Sequence, residues 1–223
     1  MALNSRKATA ALAAGLLSIT VLHLSAPTLV AKPSTPLSGP MAERVSVVPI
    51  TFDRDDASKT KFGKLTFRGG LNIFARSVHF GGYSAIALDR SGTALLALSD
   101  AGSWMRATLD YDGRRLRGLS DVILGPILDQ DGKPVRTESR QDAEGIALLA
   151  GDTQNGTALV SFERDHRIMR YPFTPERFGP PDGVIPLAKA GRAMGANQGL
   201  EALAVIRSGR MKGTVGAVSE RRK

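Results

Sequence analysis

Short apolar stretches recur along this chain, and each is followed by a turn and a second apolar stretch. Three such pairs align with one another, at residues 82–88 with 94–100, 143–149 with 158–163, and 199–205 with 214–220. Runs of this length bounded by Gly, Asn and Asp predict strands, and a short turn between two of them predicts a β-hairpin. The Asn155-Gly156 pair predicts a two-residue turn in the second hairpin, because both central positions of such a turn need positive φ.

Each hairpin ends in an acidic residue, and two further apolar stretches separate one acid from the next. Asp100, Glu163 and Glu220 stand 63 and then 57 residues apart. The intervening stretches are 104–111, 116–124, 167–173 and 184–188, with a loop at 174–183. Four antiparallel strands in about sixty residues is the size of one blade of a β-propeller. Self-similarity at such a period is itself typical of repeat architectures.

The pattern predicts an all-β fold, a partial β-propeller of about half the usual size. It has two full four-stranded blades plus parts of others, with strand-like segments also at 45–52 and 64–74. Inner strands meet neighbouring blades on both faces, so the apolar runs 94–98 and 200–206 are expected to be fully buried. An open arc of blades leaves two apolar faces uncovered, which predicts self-association through them. A β-sandwich is the alternative; it accounts for the strands but not for the recurring acids.

Charge and composition indicate which partners the protein can have, but they add little to the fold prediction. The net charge is +9, from 30 Lys and Arg against 21 Asp and Glu. The basic residues are scattered, and no basic run is interleaved with aromatic residues as a nucleic-acid groove requires, so we expect no nucleic-acid partner. The chain has no cysteine. Disulfides, thiolate catalysis and cysteine-ligated metals are therefore excluded.

The N-terminus has the pattern of a targeting segment. Arg6 and Lys7 precede an uncharged stretch rich in Ala and Leu at 8–22, which is typical of a signal peptide and short for a membrane span. We therefore predict a helical signal peptide over residues 1–31, a Pro-rich linker over 32–43, and the propeller domain over 44–223. A chain of this kind is periplasmic or secreted by the general secretory route, with no stable membrane span after cleavage. An uncleaved membrane anchor is the alternative.

Several short motifs resemble those of one protein family. They are Phe80-Gly-Gly-Tyr-Ser-Ala-Ile-Ala-Leu-Asp89, Leu98-Ser-Asp100, Asp142-Ala-Glu-Gly-Ile146, Ser161-Phe-Glu-Arg164, Asn197-Gln-Gly-Leu-Glu-Ala202 and Val218-Ser-Glu-Arg221. As a set they resemble the phytase-like domain family, whose members carry the name "esterase-like activity of phytase". The likeness extends over residues 44–221. The resemblance implies an exported bacterial protein with a β-propeller fold, longer than this chain, which therefore looks C-terminally truncated. It also implies a distant tie to β-propeller phytases, which use calcium to bind and hydrolyse phytate.

Six carboxylates are expected to converge where the hairpin strands begin and end. They are Asp100, Asp142, Glu144, Glu163, Glu201 and Glu220. Carboxylate oxygens are the hard ligands that Ca²⁺ takes, so these residues are the predicted metal ligands and Ca²⁺ is the predicted cofactor. Arg164 and Arg221 each follow a hairpin acid directly, and we predict that they bind a small anionic ester or phosphate. The alternative is that the acids cap strand ends and pair with these arginines to hold the blades together.

Together these features favour an exported, metal-dependent hydrolase of phosphoric or carboxylic esters. The alternatives are a non-catalytic propeller that binds an envelope ligand or partner, and an inactive truncated remnant. The sequence assigns no catalytic residue. Ser84 stands in half of a nucleophile-elbow motif, but Ile86 replaces the final glycine, so Ser84 is expected to be a packed strand residue.

Overall fold

The computed structural model of the chain describes residues 35–192, 194–195 and 198–220. The predicted signal peptide at 1–31 and Arg221 lie outside the described residues. Two short helices are present, α1 (Glu138–Gln141) and α2 (Lys189–Arg192), and no helix in the described part of the chain has the length and apolar character to cross a membrane. The strands are β1 (Met41–Ala42), β2 (Val45–Ile50), β3 (Lys61–Phe62), β4 (Leu65–Thr66), β5 (Gly70–Ala75), β6 (Tyr83–Leu88), β7 (Ala94–Ser99), β8 (Ser103–Asp112), β9 (Arg115–Pro126), β10 (Ala143–Gly151), β11 (Gly156–Phe162), β12 (Arg167–Thr174), β13 (Arg177–Phe178), β14 (Gly183–Ile185), β15 (Leu200–Val205) and β16 (Val215–Ser219).

The strands pair antiparallel, and among the described residues they form five sheets, of which we call three, following one another along the chain, the first, second and third sheets. The first sheet has the order β1-β9-β8-β7-β6, and the second has the order β10-β11-β12, with β13 and β14 both paired to β12. The third sheet is the β15-β16 hairpin, and the pairs β2-β5 and β3-β4 precede the first hairpin in the chain. Within the described residues these sheets stay separate and do not close into a ring. The predictions of an all-β fold and of three hairpins are confirmed.

The turn of the second hairpin differs from its prediction. It is a four-residue loop, because β10 ends at Gly151 and β11 begins at Gly156. The Asp152 carboxylate accepts hydrogen bonds from the backbone N–H groups of Gln154 (2.8 Å) and Asn155 (3.0 Å). Positive φ falls on Gly151, at 77°, and not on the Asn-Gly pair. The predicted two-residue turn is wrong, because an Asp side chain satisfies the backbone of a longer loop.

The largest core lies between the first and second sheets. Leu96 and Trp104 of the first sheet pack there with Val160 and Phe162 of the second. A separate core covers the opposite face of the first sheet, so the apolar run 94–98 is enclosed from both sides, as predicted. The prediction for 200–206 is wrong, because residues of β15 alternate between inward and exposed positions. β15 packs against the second sheet, in a core that also includes Leu187 and Met194.

A buried charge interrupts the core between the first and second sheets. Arg106 is 4% exposed, and its guanidinium carbon lies 5.7 Å and 5.4 Å from the ring centroids of Trp104 and Phe173. Its three side-chain nitrogens have no hydrogen-bond partner among the described residues. Burial lowers the pKa of Arg106. Cation–π contacts with Trp104 and Phe173 therefore surround the desolvated guanidinium, which makes no hydrogen bond within the described residues.

Part of the predicted linker is built into the first sheet. Leu37 is buried in the core behind that sheet. β1 pairs with β9, where Met41 lies opposite Leu124 and Ala42 opposite Ile123. The chain therefore joins the sheet a few residues before the predicted start of the domain at 44.

The first strands of the three hairpins, which are β6, β10 and β15, are neighbours. β10 contacts both β6 and β15. A core around Leu159, Ile168 and Leu200 fills the space between the second and third sheets. This packing brings the beginnings of β6, β10 and β15 close to one another, together with the ends of the strands that pair with them.

Candidate functional site

Each of these first strands has an irregularity of register at its second residue. In β6 the pairing steps from Tyr83 to Ala85, and the same step occurs at the start of β10 and of β15. A β-bulge of this kind leaves one residue out of the ladder and re-aims its side chain. The residues left out are Ser84, Glu144 and Glu201.

The acid that ends each hairpin is tied to the residue that precedes the first strand. Its backbone N–H donates a hydrogen bond to the carbonyl oxygen of that residue. The three bonds join Glu163 to Asp142 (2.8 Å), Asp100 to Gly82 (2.9 Å) and Glu220 to Gly199 (3.3 Å). The terminal acid is therefore held close to the bulged residue of its own sheet.

Five of the six predicted ligands form two carboxylate groups that share one member. Asp142, Glu144 and Glu163 make up the first group, and Glu163, Glu201 and Glu220 make up the second. In each group, one carboxylate oxygen of every residue lies within 4.8 Å of the others. We call these five residues the carboxylate cluster. Glu163 is its central member, and the second and third sheets both contribute to it.

Contacts between the second and third sheets hold Glu163 in place. Its Oε1 accepts a hydrogen bond from the Gly199 N–H (3.1 Å), and the buried Ser161 hydroxyl donates to the Leu200 carbonyl oxygen (2.7 Å). A Cβ at Gly199 would lie 2.9 Å from the Glu163 Cγ. At Gly145, on β10, a Cβ would lie 2.6 Å from the Ser161 Oγ. This junction therefore has no room for a side chain at either glycine.

Asp142 is the buried member of the carboxylate cluster, and it is paired with a cation. The Arg164 Nε donates to the Asp142 Oδ2 (2.6 Å), while the Arg164 Nη2 lies 3.4 Å from the Glu138 Oε1 on α1. Arg164 reaches this position with a φ of 61°, which a residue other than glycine rarely adopts. One positive charge thus offsets part of the negative charge at this end of the cluster.

Glu144 has the most strongly raised carboxylate pKa among the described residues of the cluster. Burial, followed by the negative charges of neighbouring carboxylates, raises the pKa of Glu144 from 4.5 to about 7. Those neighbours are Glu201, Asp142 and Glu163. The Ser84 hydroxyl hydrogen-bonds to Glu144 and opposes this rise in its pKa. Burial and nearby carboxylates also raise the pKa of Glu201.

The donor set fits a hard divalent cation. Ca²⁺ takes roughly six to eight oxygen ligands, and the carboxylate cluster supplies oxygens without any nitrogen or sulfur donor. Exposed carboxylates also gather where no metal binds, but here Asp142 is buried and Glu144 and Glu163 are half-buried. Burial and then the charges of neighbouring carboxylates make the ionised form of Glu144 unfavourable. A bound cation would favour that ionised form.

The whole cluster lies within a region that matches a known family. The family model described as phytase-like, esterase-like activity of phytase, matches residues 78–222, which is more than half of the chain. The chain belongs to the phytase-like family. The resemblance drawn from the motifs is thereby confirmed, and the matched region contains every strand from β6 to β16. Neither the curated proteins nor the solved structures contain a match to this phytase-like protein.

Asp100 stands apart from the cluster in this phytase-like protein. It belongs to neither carboxylate group. The first sheet carries Gly82 and Ser84 where the second sheet carries Asp142 and Glu144, so Asp100 meets no acid on its own first strand. Its carboxylate packs against Gly82, which has a φ of 61° and where a Cβ would collide with it. Glycine is required at position 82 on both counts.

The two predicted substrate-binding arginines are placed differently. Arg164 is partly exposed, and its Nε and Nη2 atoms are engaged with Asp142 and Glu138. The pairing of acid with arginine that the structural alternative expects is therefore present at this residue. Arg221 lies outside the described residues.

Ser84 is a residue of the site that sequence reasoning misplaced. It is exposed rather than packed, and its hydroxyl contacts Glu144 across the junction of the first and second sheets. The bulge gives the buried position to Ala85 and turns Ser84 outward. No residue pattern signals a bulge, which is an irregularity of the backbone.

Proposed function

We propose that this phytase-like protein is an exported, metal-dependent hydrolase of phosphoric or carboxylic esters whose carboxylate cluster holds Ca²⁺. The observation that carries the proposal is the position of Glu163, whose carboxylate belongs to both carboxylate groups. Membership of a family described by esterase-like activity supports the reaction class. The signal-peptide pattern at 1–31 supports export.

The side chains that would hold the ion are oriented before any ligand arrives. Arg164 fixes Asp142, the Gly199 N–H fixes Glu163, and the Ser84 hydroxyl contacts Glu144. Such preorganisation removes the cost of ordering the ligands when the ion binds. Bound calcium supplies charge neutralisation for an anionic ester and lowers the pKa of a coordinated water.

We further infer that the three sheets are blades of a partial β-propeller. The same bulge and the same terminal hydrogen bond recur in three successive hairpins. Their first strands are neighbours, as the strands that line the centre of a propeller are. In this arrangement the carboxylate cluster lies at the channel end of the blades. That position is where an anionic ester or phosphate ligand would reach it.

We also infer self-association through uncovered blade faces. Ile86 on β6 is 63% exposed, and Val218 on β16 is 65% exposed. Ile86 lies on the first hairpin and Val218 on the last. The other face of each strand, with Ala85 on β6 and Val215 on β16, packs towards the second sheet. Exposed apolar side chains of this size on sheet faces favour contact with another copy of the chain.

The direct test of the proposed reaction is calcium-dependent hydrolysis. p-Nitrophenyl phosphate, p-nitrophenyl acetate and phytate are each offered with a chelator and with added Ca²⁺. Product release should require Ca²⁺ and should fall at least about tenfold in Asp142→Ala, Glu144→Ala and Glu163→Gln. Glu176→Gln, which removes an exposed carboxylate outside the cluster, is the matched control and should retain activity.

Each other outcome has a defined meaning. Hydrolysis that is absent, or indifferent to both the metal and the substitutions, contradicts the proposal. Calcium binding without hydrolysis of any substrate favours the non-catalytic alternative, in which the channel face binds an envelope ligand or partner.

A further inference from the structure

A pocket of about 230 Å³ lies on a different part of the molecule from the carboxylate cluster. One wall comes from residues 50–69, which precede the region matched by the family. The other wall comes from the turn between β8 and β9, at residues 112–115. No member of the carboxylate cluster lines this pocket. Its lining includes three apolar residues, Ile50, Ala57 and Phe67, which we call the floor, and three arginines, Arg68, Arg114 and Arg115, which we call the rim.

Packing and hydrogen bonds fix the first wall. Phe52 packs against Phe62 and Phe67, with ring centroids 4.5 Å and 5.6 Å apart. Lys59 donates a hydrogen bond to Asp53 (2.7 Å) and lies over the Phe62 ring, 5.1 Å from its centroid. Phe52 therefore connects the β3-β4 hairpin with Phe67, one of the apolar residues that line the pocket.

The two walls are joined through the backbone. The Leu116 N–H donates to the Arg68 carbonyl oxygen (3.3 Å). Gly69 beside it has a φ of 126°, and a Cβ there would lie 3.2 Å from the Leu116 oxygen. The close approach and the positive φ both require glycine. Arg68 and the arginines of the opposite turn are thereby brought to one rim.

The charge at this rim is strongly positive. The one carboxylate lining the pocket, Asp112, is paired with Arg117 at 3.2 Å. In the described part of the chain, Arg68, Arg114 and Arg115 form no ion pair with a carboxylate. Unpaired cations around a concave surface concentrate anions there. Guanidinium groups match phosphate oxygens with paired hydrogen bonds.

We propose that this pocket binds a phosphate monoester, with the phosphate held by Arg68, Arg114 and Arg115 and the organic group against Ile50, Ala57 and Phe67. At about 230 Å³ the pocket is smaller than the roughly 300–1,000 Å³ of pockets for drug-sized ligands, which limits the ligand to a compact monoester. The apolar floor favours an aromatic or aliphatic ester over free phosphate. The site does not depend on the proposed hydrolysis, since the two surfaces share no residue.

Calorimetric titration with phenylphosphonate tests this site. The probe carries the charged group and a ring but has no ester bond to hydrolyse, and a chelator keeps Ca²⁺ away from the carboxylate cluster. The protein should bind phenylphosphonate at least about tenfold more tightly than inorganic phosphate. The triple variant Arg68→Gln, Arg114→Gln, Arg115→Gln should weaken binding at least about tenfold.

A second triple variant controls for net charge. Arg90→Gln, Arg136→Gln, Arg177→Gln removes the same charge from exposed arginines elsewhere, and it should leave the affinity for phenylphosphonate within about twofold. Equal weakening in both triple variants, no binding at all, or equal affinity for phosphate and phenylphosphonate would each overturn the proposal. Glu163→Gln should bind phenylphosphonate as the unaltered protein does. Failure of the hydrolysis assay therefore leaves this result unaffected.

Discussion

Replacing Glu144 by glutamine in the metal-free protein isolates the cost of ionising this side chain among its neighbours. Its pKa is about 7 in the folded protein against an ordinary 4.5, so the folded state binds the proton more tightly than the unfolded state does. The stability that this proton contributes is fully present below about pH 4.5 and is lost as the pH rises through about 7. Glutamine resembles the protonated side chain at every pH and therefore does not lose that stability.

The size of the effect follows from the two pKa values. A rise from 4.5 to about 7 corresponds to at most about 3 kcal/mol of unfolding free energy. Glu144 is only half-buried, and solvent screening reduces the value to about 1–2 kcal/mol. Most of it comes from burial and the charges of Glu201, Asp142 and Glu163.

Urea unfolding in a chelator, at about pH 4.5 and about pH 8, measures the difference. Glu144→Gln should match the unaltered protein at the lower pH and exceed it by about 1–2 kcal/mol at the higher. Glu176→Gln is the control of opposite sign, because the Thr174 hydroxyl donates to Glu176 and lowers its pKa. That variant should gain nothing at the higher pH. An equal gain in both variants, or none in Glu144→Gln, refutes the electrostatic account of the cluster.

Three further variants test the packing, the buried charge and the exposed faces. Gly145→Ala should lower the unfolding free energy in urea by about 1–3 kcal/mol, because its Cβ would lie 2.6 Å from the hydroxyl oxygen of Ser161. Gly216→Ala is the control and should change it by less than about 0.5 kcal/mol, because the nearest atom lies 3.9 Å away. Equal losses in the two variants would contradict this account. Arg106→Met should leave the unfolding free energy unchanged or raise it by up to about 2 kcal/mol, because it replaces a buried guanidinium that has no hydrogen-bond partner among the described residues. A loss above about 1 kcal/mol would show that the contacts with the two rings outweigh the cost of desolvating the guanidinium. Ile86→Ser with Val218→Ser should shift sedimentation towards the monomer at a fixed concentration, and an unchanged distribution would argue against association through these faces.

The strands of this protein are predictable from its sequence because they depend on local pattern. Apolar runs closed by Asp, Asn and Gly turns place β6, β7, β10, β11, β15 and β16 within a residue or two of their observed bounds. The recurring acids Glu163 and Glu220 are found together for the same reason, since each ends the second strand of a hairpin.

Features that depend on the backbone or on distant pairing are not predictable in this way. The outward position of Ser84 results from a bulge, and the pairing of Arg164 with Asp142 requires an unusual backbone angle. Asp100 is excluded from the cluster by the small residues of its own sheet rather than by its spacing. The pocket lined by Arg68, Arg114 and Arg115 depends on β2 pairing with β5 across an intervening hairpin. A local apolar pattern predicts each strand but does not identify which strand it pairs with.

The central claim is that the carboxylate cluster binds Ca²⁺. Calorimetric titration of the metal-free protein with Ca²⁺ tests it most directly. The titration is made at about pH 8, because Glu144 is mostly ionised there. The unaltered protein and Glu176→Gln should bind Ca²⁺ with the same affinity. Glu163→Gln should bind it at least about tenfold more weakly, because this carboxylate belongs to both groups. Calcium binding that is absent from the unaltered protein, or undiminished in Glu163→Gln, would contradict the claim.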